Sequence, residues 1–150
     1  MHVRRLGICA KLPGYEFVVP DHVRHEIRDA DQRNMFDHAV HRGEFRVVSI
    51  TNLNSISLFA ELTAHLGRGE AACLALAVEH GWTVASDERK RFRRETESRI
   101  GEARLIGTKE LYLLAIGAGV LDVDQADADK AVLEQHRFKM SFKSFRDLVT

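Results

Sequence analysis

A chain of 150 residues, 45% apolar and 29% charged, is long enough to close one hydrophobic core and too apolar to be disordered. Its 22 acidic and 22 basic side chains cancel, which excludes a global field that draws it onto nucleic acid or membrane; polyanion binding needs a local patch. No apolar run reaches the ~20 residues of a membrane helix, no signal-peptide core opens the chain, and Cys9 and Cys73 stand in no metal spacing, so a cytoplasmic protein without membrane contact is expected.

In chain order, Tyr15–Val19 reads as a buried strand closed by Pro20. Asp21 is placed to cap a helix in which Val23, Ile27 and Ala30 follow helical spacing, and the pattern continues through Phe36, Ala39 and Val40 to Gly43. Phe45–Ile50 is strand-like, and Asn52–Leu66 is helical despite its Asn and Ser content. Gly67 and Gly69 punctuate before a helix over Glu70–His80, which Gly81 ends as a glycine just past a helix does. Thr83–Ser86 makes a short strand, a basic helix follows to about Ile100, Arg104–Ile106 is a strand, and Thr108 caps a helix over Lys109–Ala118. Strands alternating with helices predict a three-layer α/β/α sandwich on a mostly parallel sheet.

The last residues differ in character. Asp124, with Asp127 three residues on, is placed as an N-cap for a helix running to about His136. Phe138, Phe142, Phe145 and Leu148 then recur at helical spacing, one apolar stripe on a short helix. Docking of that stripe on the body of the domain is the favoured reading. A subunit or partner interface is the other, with Lys139, Lys143 and Arg146 behind it. The expected division is therefore a domain over 1–121 and a helical extension over 122–150 packed on it.

Three carboxylates stand near strand ends, where ligands bind in open α/β sheets. Glu26 shares the edge of its helix's buried face, Glu70 lies in the first turn of the helix after Gly67, and Asp87 follows the strand TVAS. Each alone has an ordinary structural reading, as a helix-surface acid, a first-turn acid and a cap. Together they form the oxygen-rich set that Mg²⁺ or Mn²⁺ takes. The cluster Arg89, Lys90, Arg91, Arg93, Arg94 and Arg99 is a solvated face paired with Glu95, Glu97 and Glu102, or a set of phosphate contacts beside a metal site. The pairs His22/His25 and His38/His41 have ligand spacing but read as surface histidines, and Trp82 reads as a strand-edge anchor.

The runs GRGEAACLALAVEHG, TVASDERKRF and RLIGTKELYLLAIGAGVL resemble the second half of a PIN-domain ribonuclease, particularly the toxin branch of toxin–antitoxin systems, and FVVPDHVRHEI resembles that family's second strand and following helix. The likeness covers roughly Leu12–Leu121. It implies a PIN-like fold and a metal-dependent endoribonuclease in which water activated by Mg²⁺ or Mn²⁺ attacks an RNA phosphodiester. The family's second, third and fourth acids fall on Glu26, Glu70 and Asp87, with Glu88 as an accessory. Arg89 and Lys90 become candidate contacts to RNA phosphate. An antitoxin-like protein and a second copy of the chain are the implied partners.

One departure accompanies the resemblance. PIN domains open with an apolar strand ending in Asp, whereas MHVRRLGICAK resembles only the helix after it. Two readings follow: a reading frame opened at an internal Met, which is favoured, or a truncated and inactive relative. The second gives the competing function, a non-catalytic remnant of the fold that acts as a protein-interaction module.

Overall fold

The structure is a computed structural model and describes residues 6–149; the expected helical stretch at His2–Arg5 lies outside the described residues. Helix α1 (Leu6–Lys11) leads to strand β1 (Val18–Pro20), helices α2 (Asp21–Glu26) and α3 (Ala30–His41), and strand β2 (Arg46–Val48). Then come α4 (Leu53–Leu62), α5 (Arg68–His80), β3 (Val84–Ala85), α6 (Arg91–Ile100), β4 (Leu105–Ile106), α7 (Thr108–Gly117) and α8 (Val123–Gln135). Short 3₁₀ turns occupy Glu102–Arg104 and Phe145–Asp147. The alternation of strands with helices is as the sequence predicts, and both strand pairings are parallel: Val19 opposite Val47, and Val84 opposite Leu105. The expected single sheet is not formed among the described residues. β1 pairs only with β2 and β3 only with β4. A cleft of about 460 Å³ opens between the facing edges, lined by Val18, Pro20, Cys73, Leu76, Val84 and Ile106 among others.

Helix α5 is the centre of the molecule. Gly69, Ala71, Ala72, Leu74, Ala75, Leu76 and Ala77 are all buried, so this helix is covered on several sides. Small side chains are what permit it, because backbones of neighbouring elements can approach an alanine surface closely. It packs against α2, α4, α6, β1 and β3. Gly81 ends it at φ +70°, the left-handed conformation that glycine adopts without a Cβ penalty. One apolar cluster joins α4, α5, β3 and α6 through Leu62, Leu66, Leu74, Val84 and Phe92. A second joins α1, α7, α8 and the final turn through Leu12, Tyr112, Ala115, Leu121, Ala126 and Phe145.

Four expectations are corrected. The helix predicted from Asp21 to Gly43 is two helices, because Ile27 turns extended (ψ 103°) and Asp29 starts α3 by accepting a hydrogen bond from the Gln32 N–H. Asp87 does not cap α6; Lys90 precedes that helix, at φ +67°. Nor do Phe138, Phe142, Phe145 and Leu148 share a helix. α8 is capped by Asp122 rather than Asp124, and it ends at Gln135. Its Arg137 N–H donates to the Glu134 carbonyl and its Phe138 N–H to the Leu133 carbonyl, a Schellman closure with Arg137 at φ +66° in the place usually held by glycine. The remainder crosses back over α8 without helical structure until Phe145.

Docking of the tail on the body is nevertheless observed. Phe145 is fully buried, 5.3 Å from the Tyr112 ring centroid and 4.9 Å from that of Phe142, while Leu148 stays 41% exposed. Burying a phenylalanine side chain contributes about 2–3 kcal/mol. Asp127 fixes the approach by accepting from the Ser144 hydroxyl at 2.5 Å and the Phe145 N–H at 2.8 Å. No helix among the described residues is long and apolar enough to cross a membrane.

Candidate active site

Two pairs of carboxylates bind the starts of helices, at α5 and α7. The first involves Glu26, the last residue of α2, and Glu70, in the first turn of α5. Glu26 Oε1 accepts from the Gly69 N–H at 2.9 Å. Glu70 Oε2 reaches back to accept from the Gly67 N–H at 3.0 Å. Each acid thereby satisfies one of the backbone donors that a helix start leaves open, and the helix dipole favours the charge. Gly69 lets Glu26 approach closely. A Cβ there would overlap Glu26 Oε2 and meet Val23 Cγ2 at 3.2 Å.

Cys73, one turn further along α5, registers both acids. Burial pushes its thiol up to about 11, and the negative charges of Glu26 and Glu70 push in the same direction. Both acids therefore lie near enough to Cys73 to act on its thiol electrostatically.

The second pair joins Asp87 to Glu110. Asp87 stands two residues past β3, and its Oδ1 accepts from the Thr108 N–H at 2.8 Å while its Oδ2 accepts from the Thr108 hydroxyl. Glu110 Oε2 accepts from the Gly107 N–H at 2.9 Å. A Cβ on Gly107 would lie 2.8 Å from Asp87 Oδ1 and 3.1 Å from Glu110 Oε2, so this glycine too is set by the acids packed over it. Burial alone would raise the Glu110 carboxyl, but the Lys109 ammonium at 3.0 Å and the Gly107 N–H outweigh it and hold it below its ordinary value. Asp87 therefore ties β3 to the start of α7, a structural task distinct from the cap its sequence position suggested.

Glu110 is the residue that the sequence reading missed. The signal was present: Gly67-x-x-Glu70 and Gly107-x-x-Glu110 have one spacing, and both are half a capping box in which the third-position glutamate returns to the N–H of the residue before the helix. Glu88 is exposed, and only its backbone is engaged, donating to Ser86 Oγ at 3.1 Å.

Among the basic residues, Arg93 pairs with Glu97 at 2.6 Å, and Arg99 with Glu61 at 2.7 Å and Glu95 at 3.1 Å, as a solvated helix face would. Arg89 and Lys90 form no ion pair among the described residues and remain available. Arg89 and Asp87 share the wall of a cleft of about 740 Å³ with Glu110 and the segment after α8. Trp82 is half-buried and stacks on His80 at 4.2 Å, consistent with an anchor.

No three His, Cys, Asp or Glu side chains are grouped closely enough to hold a metal among the described residues, so Glu26, Glu70 and Asp87 do not form one cluster, and neither histidine pair belongs to one. In donor chemistry the Glu26–Glu70 pair fits a hard divalent cation. Both are carboxylates, and each commits one oxygen to a glycine N–H. Comparison of the chain with family models gives a match to the family described as DUF3368, PIN domain, over residues 1–145. Comparison with curated proteins and with solved structures gives no match.

Proposed function

The chain belongs to the PIN-domain family, and from that premise we propose that it is a metal-dependent endoribonuclease. PIN domains are generally nucleases, and the observation that carries the proposal to this chain is that Glu26 and Glu70 both bind the start of α5, through the Gly69 and Gly67 N–H groups. Glu26 and Glu70 would hold Mg²⁺ or Mn²⁺, with Asp87 across the strand ends as the third acid and Glu88 as an accessory. When bound, such an ion supplies an activated water and stabilises charge on the oxygens of the phosphodiester. The chain's own part is to give each carboxylate a helix-start N–H, with no salt-bridge partner among the described residues. Arg89 and Lys90 take RNA phosphate, which needs cations and little sequence information. A toxin-like role with an antitoxin-like protein partner extends the same reading.

A second reading is favoured by one observation, that no three acids are assembled among the described residues. In it the chain keeps the fold as a protein-interaction module without catalysis. Incubation of the purified chain with end-labelled single-stranded RNA separates the two. The nuclease reading expects cleavage in millimolar Mn²⁺ or Mg²⁺, none in EDTA, and a fall of at least about 100-fold in Glu70→Gln. No cleavage in any metal supports the interaction module.

A further inference from the structure

The cleft beside Asp87 has a second wall that the nuclease reading does not use. After the Schellman turn the chain runs Arg137-Phe138-Lys139-Met140-Ser141-Phe142, and all six residues line the cleft opposite Arg89 and Asp87. Its volume of about 740 Å³ lies in the range of about 300–1,000 Å³ usual for ligand sites. Arg89, Arg137 and Lys139 are exposed and form no ion pair among the described residues. Phe138 is half-buried between two of these cations, with no aromatic neighbour among the described residues.

Backbone conformation points to the same place. Arg137 and Lys90 are the two non-glycine residues with positive φ among the described residues, at +66° and +67°. One lines the cleft and the other follows Arg89, which does. A left-handed residue with a Cβ costs about 1–2 kcal/mol. Glycine at position 137 would remove that cost and the guanidinium together. Such strain persists where the side chain serves something other than the fold.

Resting on the nuclease reading, we propose that residues 137–142 form one wall of a single-stranded RNA subsite, with Phe138 stacking a base and Arg89, Arg137 and Lys139 holding backbone phosphates. Cation, aromatic ring and cation in succession match a strand that alternates charged phosphates with neutral π faces, and a base can stack on the ring whatever its identity. A peptide whose side chains are acidic alone carries charge but no such faces.

The test is binding rather than cleavage. Fluorescence anisotropy of a labelled oligouridylate of about 12 nucleotides, titrated with the full chain in EDTA, reads the subsite without the metal. Phe138→Ala should weaken binding roughly 5- to 100-fold and Phe138→Trp should preserve it, both with unchanged circular dichroism. Arg137→Gly should lower the slope of log affinity against log salt by about 0.7 while raising the melting temperature. Wild-type affinity in Phe138→Ala, an unchanged salt slope in Arg137→Gly, no RNA binding by the wild type, or equal affinity for polyglutamate would each overturn the subsite. Intact binding without cleavage in metal would sink the nuclease reading and leave the subsite in place.

Discussion

At the scale of single residues, the glycines and the cysteine say most about the site. Gly69→Ala places a methyl group on Glu26, and since the carboxylate is the end of a flexible side chain it will swing away and release the Gly69 N–H. The expected loss of stability is modest, about 1 kcal/mol for one hydrogen bond, with a much larger loss of RNA cleavage. Urea denaturation and a cleavage assay on the same protein check both halves. Cys73 is a built-in reporter of the acids. With the thiol pushed up to about 11, it is almost wholly protonated at pH 8.5. Removing one negative charge in Glu70→Gln lowers that value, raises the thiolate fraction, and so should speed alkylation of Cys73. Cys9, raised by its own burial and Glu44, should not change. Equal acceleration of both thiols would mean loosened packing rather than altered charge. Glu70 was legible in the sequence as a first-turn acid, and Glu26 as a carboxylate on the edge of a helix's buried face, each with a ready chemical use. Glu110 was not, because a first-turn glutamate is a common capping device and only the fold brings Asp87 beside it over Gly107.

Individual elements show where sequence patterns mislead. Val23, Ile27 and Ala30 keep helical spacing across a break, so apolar periodicity joined α2 to α3. The contrary signal was Asp29 with Gln32 three residues on, a helix start inside the pattern. The aromatic stripe failed for a related reason, since a 3- and 4-residue spacing fits a helix but also fits a strap that turns its rings inward at intervals. The alanine-rich pattern of α5 and the glycine after it were reliable, because a buried helix of small residues has few alternative arrangements. Phe145→Ala should cost about 3–5 kcal/mol in chemical denaturation, whereas Leu148→Ala should stay within about 0.5 kcal/mol. Equal effects would place the stripe outside the core.

Attachment of the tail should also depend on pH. Burial would raise the Asp127 carboxyl, but hydrogen bonds from Ser144 and Phe145 hold it below its ordinary 3.8. A carboxylate with a depressed folded value stabilises the structure above its ordinary pKa, and the contribution is lost as pH falls through the folded value. Amide exchange in residues 138–148 should therefore accelerate below about pH 4 ahead of exchange in α5. Asp127→Asn should show the faster exchange already at neutral pH.

For the molecule as a whole, charge is balanced in sum and divided in place. Acids gather at helix starts over Gly69 and Gly107, and unpaired cations face the cleft beside Asp87. The helix and strand order was readable because α/β alternation is written in local periodicity. The separation of the strands into two pairs was not, since pairing is decided between segments distant in sequence. The account rests on the Glu26–Glu70 pair as a divalent-cation site, and the most direct test is the melting temperature with and without Mn²⁺. A cation that binds only the folded chain adds about 2.7 kcal/mol at a hundredfold excess over its Kd, or roughly 5–10 °C for a chain of this length. The account predicts that rise in the wild type and its near disappearance in Glu26→Gln and Glu70→Gln, each of which should be no less stable than the wild type in EDTA once the mutual repulsion is relieved. A melting temperature indifferent to Mn²⁺ and Mg²⁺, or one raised equally in all three proteins, would contradict it.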